Sequence, residues 1–416
     1  MLDRKKILIN AYACGPHWGS EIGMGWNWVI NLSNYCELTV ITEKGFQSEI
    51  EKVLPLLTIK YQPSFHYIDI GERGRLLFWK QGSFAFYTHY RKWQKKAYVL
   101  AKKLVADNKY DLVHQLNMIG YREPGYLWKI ENLPFIIGPV GGYEQFPISF
   151  LSMLDMRDLL FAIARNFINY FQRNCLTRPK KAYRRSSYII VATPKGLNPI
   201  LKYKSNDVVI IPETGAYKLL DIVDNKEFLE SKPFTITWVG KLHGTKALSL
   251  ALKAISKSKY KNQLIFNIIG YGPNYKKYKK LASDLKLKNI VWHGKTENVK
   301  VKDIIANSHL FFFTSILEAT STVIFEALER NVPVLCHNTC GFGYVIDETC
   351  GIKIPLINPK ESINQFSYEI DKIIENPKKL SQLKKGCRAK IESYFWDTKA
   401  SKMNEIYNEC LNYFEK

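Results

Sequence analysis

Acidic residues are scarce in this chain of 416 residues: 38 Asp and Glu stand against 60 Lys and Arg, a formal net charge of +22. An excess of this size favours polyanions, either nucleic acid or an anionic membrane surface. Long apolar runs are absent. No stretch approaches the roughly 18 to 20 apolar residues that a helix needs to cross a bilayer. The segment Met1 to Asn10 carries basic residues before an apolar run too short for a signal peptide, and reads as charges leading into a first strand. The eight cysteines show no Cys-x-x-Cys spacing, which argues against a zinc ribbon or a disulfide framework. They read as buried thiols in a reducing cytoplasm. No Gly-x-Gly-x-x-Gly turn is followed by an acidic residue at the end of the next strand, which argues against a nicotinamide dehydrogenase. No repeat or low-complexity segment is visible, and the length suits two domains with separate cores.

What is present is a series of short apolar runs alternating with helical patterns. In the second half these are Thr235 to Val239, Leu264 to Ile269, Ile290 to Gly294, Leu310 to Thr314 and Pro333 to Cys336. Such alternation predicts a parallel sheet buried on both faces. The first run leads into Gly240-Lys241-Leu242-His243-Gly244-Thr245-Lys246, whose two lysines bracket a glycine turn. Lysine binds phosphate as a point charge on a flexible stem. The fourth run leads into Glu318-Ala-Thr-Ser-Thr-Val-Ile-Phe-Glu326. A helix is predicted to begin near Thr320 to Thr322 and to bury Val323, Ile324 and Ala327 or Leu328. Glu318 then sits in the loop at the strand's carboxyl end, where open parallel sheets bind ligands. A helix N-terminus there favours a phosphate. A carboxylate beside a phosphate suits hydrogen bonds from sugar hydroxyls, whereas two surface glutamates would be the plainer reading.

These residues carry a resemblance. The C-terminal half resembles the donor domain of retaining glycosyltransferases of family 4 (glycosyl transferases group 1). Four motifs occur in that family's order: Gly240-Lys241-Leu242 with Lys246, Gly270-Tyr271-Gly272, Val291-Trp292-His293-Gly294, and Glu318 to Glu326-Ala327-Leu328. The resemblance implies an α/β chain of GT-B fold, two Rossmann-like domains facing each other across a cleft. It implies that Lys241 and Lys246 hold a donor pyrophosphate, that Glu318 faces the transferred sugar, and that Glu326 binds the ribose. Backbone around Ser321 and Thr322 would complete the contacts. Gly19, Gly270, Tyr271, Gly272 and His293 would also line the donor. Two departures stand out: Lys241 replaces the usual Arg, and the loop after Glu318 reads Ala-Thr-Ser-Thr rather than Gly-Phe-Gly-Leu-Pro.

The first half carries a similar pattern. Ile7 to Ala11 reads as a strand, followed by the loop Cys14-Gly15-Pro16-His17-Trp18-Gly19. Ser20 is a plausible cap for a helix that buries Ile22, Trp26, Val29, Ile30 and Ser33. Tyr110 to Asn117 reads as a strand whose His114 corresponds to the first histidine of the family's Asp-x-x-His-x-His, with Leu116 in the second place. His114 is expected at the carboxyl edge of the sheet, beside Glu318 as a catalytic candidate. His17, Glu21, Arg122 and Glu123 are candidates for acceptor contacts. Glu21 also reads as a first-turn residue favoured by the helix dipole, and Arg122 and Glu123 could pair with each other. The expected domains are 1–216 for the acceptor, 217–395 for the nucleotide sugar, and a helix 396–416 crossing back to the first domain. The boundary is expected near Gly215 to Pro233.

Two stretches combine basic and aromatic residues. Between Arg73 and Ala106 there is no Asp or Glu, and Trp79, Phe86, Tyr90 and Trp93 stand among nine Lys and Arg. A second stretch runs from Met156 to Arg185. Both suit an ordinary helix with a solvated basic face, an interfacial helix on a membrane, or single-stranded nucleic acid.

The resemblance implies a retaining, metal-independent hexosyltransferase or related enzyme, because no Asp-x-Asp motif appears. Its co-substrate would be a nucleoside-diphosphate sugar of UDP or GDP type, with no further cofactor. Its acceptor would be a glycan or lipid-linked glycan in bacterial surface polysaccharide synthesis. The setting implied is cytoplasmic, with an anionic membrane surface as a possible partner. A non-catalytic sugar-nucleotide or glycan-binding module of the same fold, or a basic nucleic-acid-binding protein, is the alternative.

Overall fold

The structure, a computed structural model, describes residues 4–80, 83–118, 120–204, 206–218 and 233–414. Two compact units are present. The first comprises Met1–Tyr143, Gln172–Gly215 and Trp396–Lys416; the second comprises Glu144–Phe171 and Ala216–Phe395. The chain passes from one unit to the other after Tyr143, Phe171, Gly215 and Phe395. Most of the expected boundary stretch, residues 219–232, lies outside the described residues. The segment Glu144–Phe171, read from the sequence with the first domain, packs with the second.

Among the described residues the first unit holds a seven-stranded parallel sheet. Its strands are β1 Lys6–Ala11, β2 Glu37–Glu43, β3 Ser64–Ile68, β4 Leu112–Asn117, β5 Phe135–Val140, β6 Tyr188–Val191 and β7 Val208–Ile210. Their spatial order is β3-β2-β1-β4-β5-β6-β7. Along β1, Ile7 and Ile9 enter one core with Trp28, Val29 and Met403, while Leu8 enters the other with Trp93, Val113 and Phe135. Burial on both faces is why these strands read as unbroken apolar runs. The helix Ser20–Leu32 buries Ile22, Trp26 and Val29 as its periodicity predicts. Its cap is Gly19 rather than Ser20, which adopts φ +53° at the first turn.

The second unit holds a six-stranded parallel sheet among the described residues: β8 Thr235–Val239, β9 Ile265–Ile269, β10 Ile290–Gly294, β11 Leu310–Phe313, β12 Val334–His337 and β13 Gly351–Ile354. The order is β10-β9-β8-β11-β12-β13. Phe311 and Phe313 face one core with Ile324 and Phe342; Leu310 and Phe312 face the other with Trp238, Leu252 and Phe366. Both units thus have Rossmann-like α/β architecture. In each sheet the chain starts in the middle, winds outward one way, then returns to wind the other way. The direction reverses between β1 and β4 in the first unit, and between β8 and β11 in the second. Loops after parallel strands all leave by the same edge, and the crevice at the reversal is where such sheets take ligands.

Candidate active site

In the second unit the loops at the β8/β11 reversal are laced together. Trp238 Nε1 donates to Thr314 Oγ1 at 3.0 Å, and Thr314 Oγ1 donates to the Lys246 carbonyl at 3.0 Å. The Ile316 amide donates to the Thr245 carbonyl at 3.0 Å. This frame sets Lys246 against Glu318: Nζ pairs with Oε2, and Ser315 Oγ donates to the same oxygen at 3.3 Å. The lysine side chain is 17% exposed and the glutamate 25%. Two residues 72 positions apart, each singled out on chemical grounds, therefore meet in one half-buried ion pair. Just beyond Lys246, Ala247 holds the left-handed conformation at φ +49°, a costly choice for alanine that the surrounding bonds enforce. Thr314, Ser315 and Trp238 had escaped the sequence reading; the only signal was the polar pair directly after an apolar strand.

The glycine loops of β8, β9 and β10 also converge. The Gly240 amide donates to the Ile269 carbonyl at 3.0 Å, Gly270 N to Gly294 O at 2.9 Å, and Leu242 N to Tyr271 O at 2.9 Å. Gly270 adopts φ +142°, and a Cβ there would lie 1.8 Å from the Gly240 carbonyl oxygen. We expect Gly270→Ala to destabilise the second unit by roughly 2–3 kcal/mol, because backbone must move to admit the methyl group. Denaturant unfolding followed by the second unit's tryptophans, Trp238 and Trp292, would check this. A variant as stable as the parent would show that the two loops can part freely.

Around this frame stand the other candidates. Tyr271 is exposed, with Lys295 Nζ 5.7 Å from its ring centre. His293 is held by Asn267 Oδ1 at 2.9 Å, and burial lowers its pKa. Lys241 is exposed. Ser321 caps the helix Thr322–Leu328 without a side-chain bond, which leaves Thr322 at the first helical position. Glu326 lies on that helix. Asn298 Nδ2 donates to its Oε1 at 3.2 Å, while Oε2 is buried with no hydrogen-bond partner. A buried acceptor without a donor carries a free-energy cost that a ligand hydroxyl would relieve.

In the first unit the loops after β1 and β4 meet at the corresponding reversal. Asn117 Nδ2 donates to the Ala13 carbonyl at 2.6 Å. His17 is exposed at φ +64°, Gly19 is exposed, and Glu21 lies in the first helical turn. Two expectations are corrected here. His114 is fully buried, with Nδ1 bonded to Tyr407 Oη at 2.7 Å and Nε2 to the Gly138 carbonyl at 2.8 Å. Burial pushes its pKa down to about 4. With both ring nitrogens engaged inside the unit, it ties β4 to β5 and to the last helix. Glu123 is likewise committed: Arg91 Nη2 lies 2.6 Å from one carboxylate oxygen and Arg178 pairs with the other. It does not pair with Arg122, whose Nε donates to Gln172 and whose guanidinium lies 4.5 Å from the Tyr121 ring centre.

Residues 221–390 match the family model described as glycosyl transferases group 1. This is a GT-B chain with a group 1 glycosyltransferase domain. The domain covers all four motifs and the Lys246–Glu318 pair. The lipopolysaccharide glucosyltransferase WaaG of Escherichia coli is 25% identical over 199 residues, 47% of this chain and 48% of the relative. The match thus spans about half the length of that curated relative. A glycosyltransferase crystal structure from Rickettsia africae superposes with a TM-score of 0.63 at 16% identity, covering 98% of this chain and 99% of the other. Anabaena HepE in complex with UDP gives a TM-score of 0.58 at 13% identity, covering 97% of this chain and 100% of the other. These likenesses carry the GT-B architecture to the whole described chain, while the family match falls on the group 1 glycosyltransferase domain.

Proposed function

We propose that this protein is a retaining glycosyltransferase. It moves a hexosyl or related sugar from a nucleoside-diphosphate sugar, of UDP or GDP type, to a glycan or lipid-linked glycan acceptor. The observation that carries this reading is the meeting of Lys246 and Glu318 at the β8/β11 reversal. A cation there stabilises the charge that develops on a leaving diphosphate. The carboxylate accepts hydrogen bonds from hydroxyls of the transferred sugar. Lys241, exposed at the same turn, supplies a second cation, and backbone amides at Ser321 and Thr322 a third source of donors. Glu326 accepts from the ribose.

In this scheme the bond between the anomeric carbon and the β-phosphate oxygen breaks, and the acceptor oxygen bonds the same face. The hydroxyl proton passes to the leaving phosphate, so no protein base is needed and none of the steps uses His114. The lysines take the place of a metal ion. The acceptor side falls to the loops bearing His17 and Glu21. The name of WaaG supports surface-polysaccharide synthesis in bacteria as the setting. Eight free thiols, seven of them buried and only Cys175 exposed, suit a reducing cytoplasm.

The test is a thermal-shift panel of UDP, GDP, ADP and CMP, each with and without its sugars. The HepE complex puts UDP first. A shift with one nucleoside diphosphate is expected, and turnover of the matching sugar completes the assignment. Binding without turnover would make the chain a non-catalytic module, and no shift with any nucleotide would overturn the donor site.

A further inference from the structure

The helix Met156–Cys175 is built the wrong way out for a water-soluble surface. Its inner face is small or polar. Ala162 packs with Phe146 and Phe150, Asn169 is buried, and Asn166 bonds both the amide and the carbonyl of Phe146 at 3.0 and 2.8 Å. Its outer face is large and apolar. Leu160, Ile163, Phe167 and Phe171 follow one another at helical spacing and are 61, 48, 71 and 59% exposed. Phe161 and Ile168 flank them at 69 and 50%. From Leu160 to Phe171 this stripe is about 17 Å long. Scattered exposed apolar residues are ordinary, but a contiguous face of this size marks an interaction surface.

We propose that this outer face lies in the interface of an anionic lipid bilayer, with the helix parallel to the membrane plane. Charge selects the occupant. The helix carries three arginines against one aspartate, and the following segment Thr177–Arg185 adds five basic residues, of which Arg178 is spent on the carboxylate of Glu123, and no acidic one. No described helix is long and apolar enough to cross a membrane. An apolar face beside basic residues meets the requirements of an interfacial helix, whose binding grows with apolar area and with attraction to anionic headgroups. The earlier basic and aromatic stretch is a weaker candidate. Phe86, Tyr90 and Trp93 are core residues, and Arg75 and Arg91 are spent on Asp69 and Glu123. The inference is independent of the transferase reading.

The experiment is co-sedimentation of the full chain with phosphatidylglycerol–phosphatidylcholine vesicles and with phosphatidylcholine vesicles alone. The protein should partition to the anionic vesicles, less so as salt rises. The Leu160→Glu, Phe167→Glu, Phe171→Glu triple variant should lose roughly tenfold or more in partitioning. It should keep its nucleotide thermal shift, because these side chains do not hold the helix to the fold. Lys102→Glu with Lys103→Glu, on the earlier stretch, should lose less. Unchanged partitioning of the triple variant, or a wild type that ignores anionic vesicles, overturns the proposal. So does a wild-type dimer in sedimentation velocity that the triple variant dissolves, since the occupant would then be a second copy.

Discussion

Glu326→Ala should abolish sugar transfer while the chain keeps its thermal midpoint. The carboxylate gives one oxygen to Asn298 and leaves the other buried without a donor. A pair of ribose hydroxyls would fill that deficit with charge-assisted hydrogen bonds. Losing two of them costs about 3–6 kcal/mol of binding in the transition state. The fold has little to lose at the same position. An unpartnered buried oxygen contributes nothing favourable, and alanine is the better helix former in the Thr322–Leu328 helix. Glu326→Gln, which retains one acceptor, should fall between. Transfer rate, nucleotide affinity and melting curve of the three proteins check this together. Full activity in the alanine variant would remove the ribose assignment. A collapsed melting curve would show instead that the side chain holds the helix.

Lys246→Met should lower the transfer rate by 10²–10³, about 3–4 kcal/mol, the usual loss when one preorganised donor to a developing charge is removed. Its position argues for an effect of this size. The lysine is fixed by its own loop, since Thr314 holds its carbonyl, and its side chain is only 17% exposed. A charge so placed acts through less water than a surface lysine. The competing explanation is that Lys246 merely holds Glu318. In that case Glu318→Gln and Lys246→Met would weaken nucleoside-diphosphate binding alike. The expected result is that only the lysine variant weakens it. Glu318→Gln should leave it unchanged or tighter, because a carboxylate no longer competes with phosphate for the ammonium.

The contrast between legible and illegible residues follows from distance along the chain. Strands such as β1, β8 and β11 announce themselves because burial on both faces demands continuous apolar runs. β3, whose residues Phe65, His66 and Tyr67 are only half-buried, carries no such run. Lys246 and Glu318 were legible because a glycine turn and a strand end are local signals of a loop at the sheet's edge. His114 and Glu123 misled for the opposite reason. The side chain bonded to the His114 ring is that of Tyr407, 293 residues later, and the partners of Glu123 lie 32 and 55 residues away. Nothing near either residue says that its polar atoms are spoken for. The Met156–Cys175 helix stood out in the sequence only as part of a basic and apolar stretch, and tertiary packing alone shows that Ala162, Asn166 and Asn169 form its inner side.

The last helix, Trp396–Phe414, closes the core beside β1 and β4. Trp396, Ala400, Met403 and Tyr407 pack there, Lys399 reaches the Pro212 carbonyl, and Lys5 reaches Asn404. On the ribosome, therefore, the sheet synthesised first is completed last. Every residue of the second unit emerges before the first unit receives its final helix. During that interval Ile7, Ile9 and Leu112 lack their cover, and an apolar surface waits on the far end of the message. Premature termination after Phe395 would spare the second sheet and leave the first one open. The two halves are thus bound to a single translation event, and the first unit cannot lose the helix after Phe395 without exposing its core.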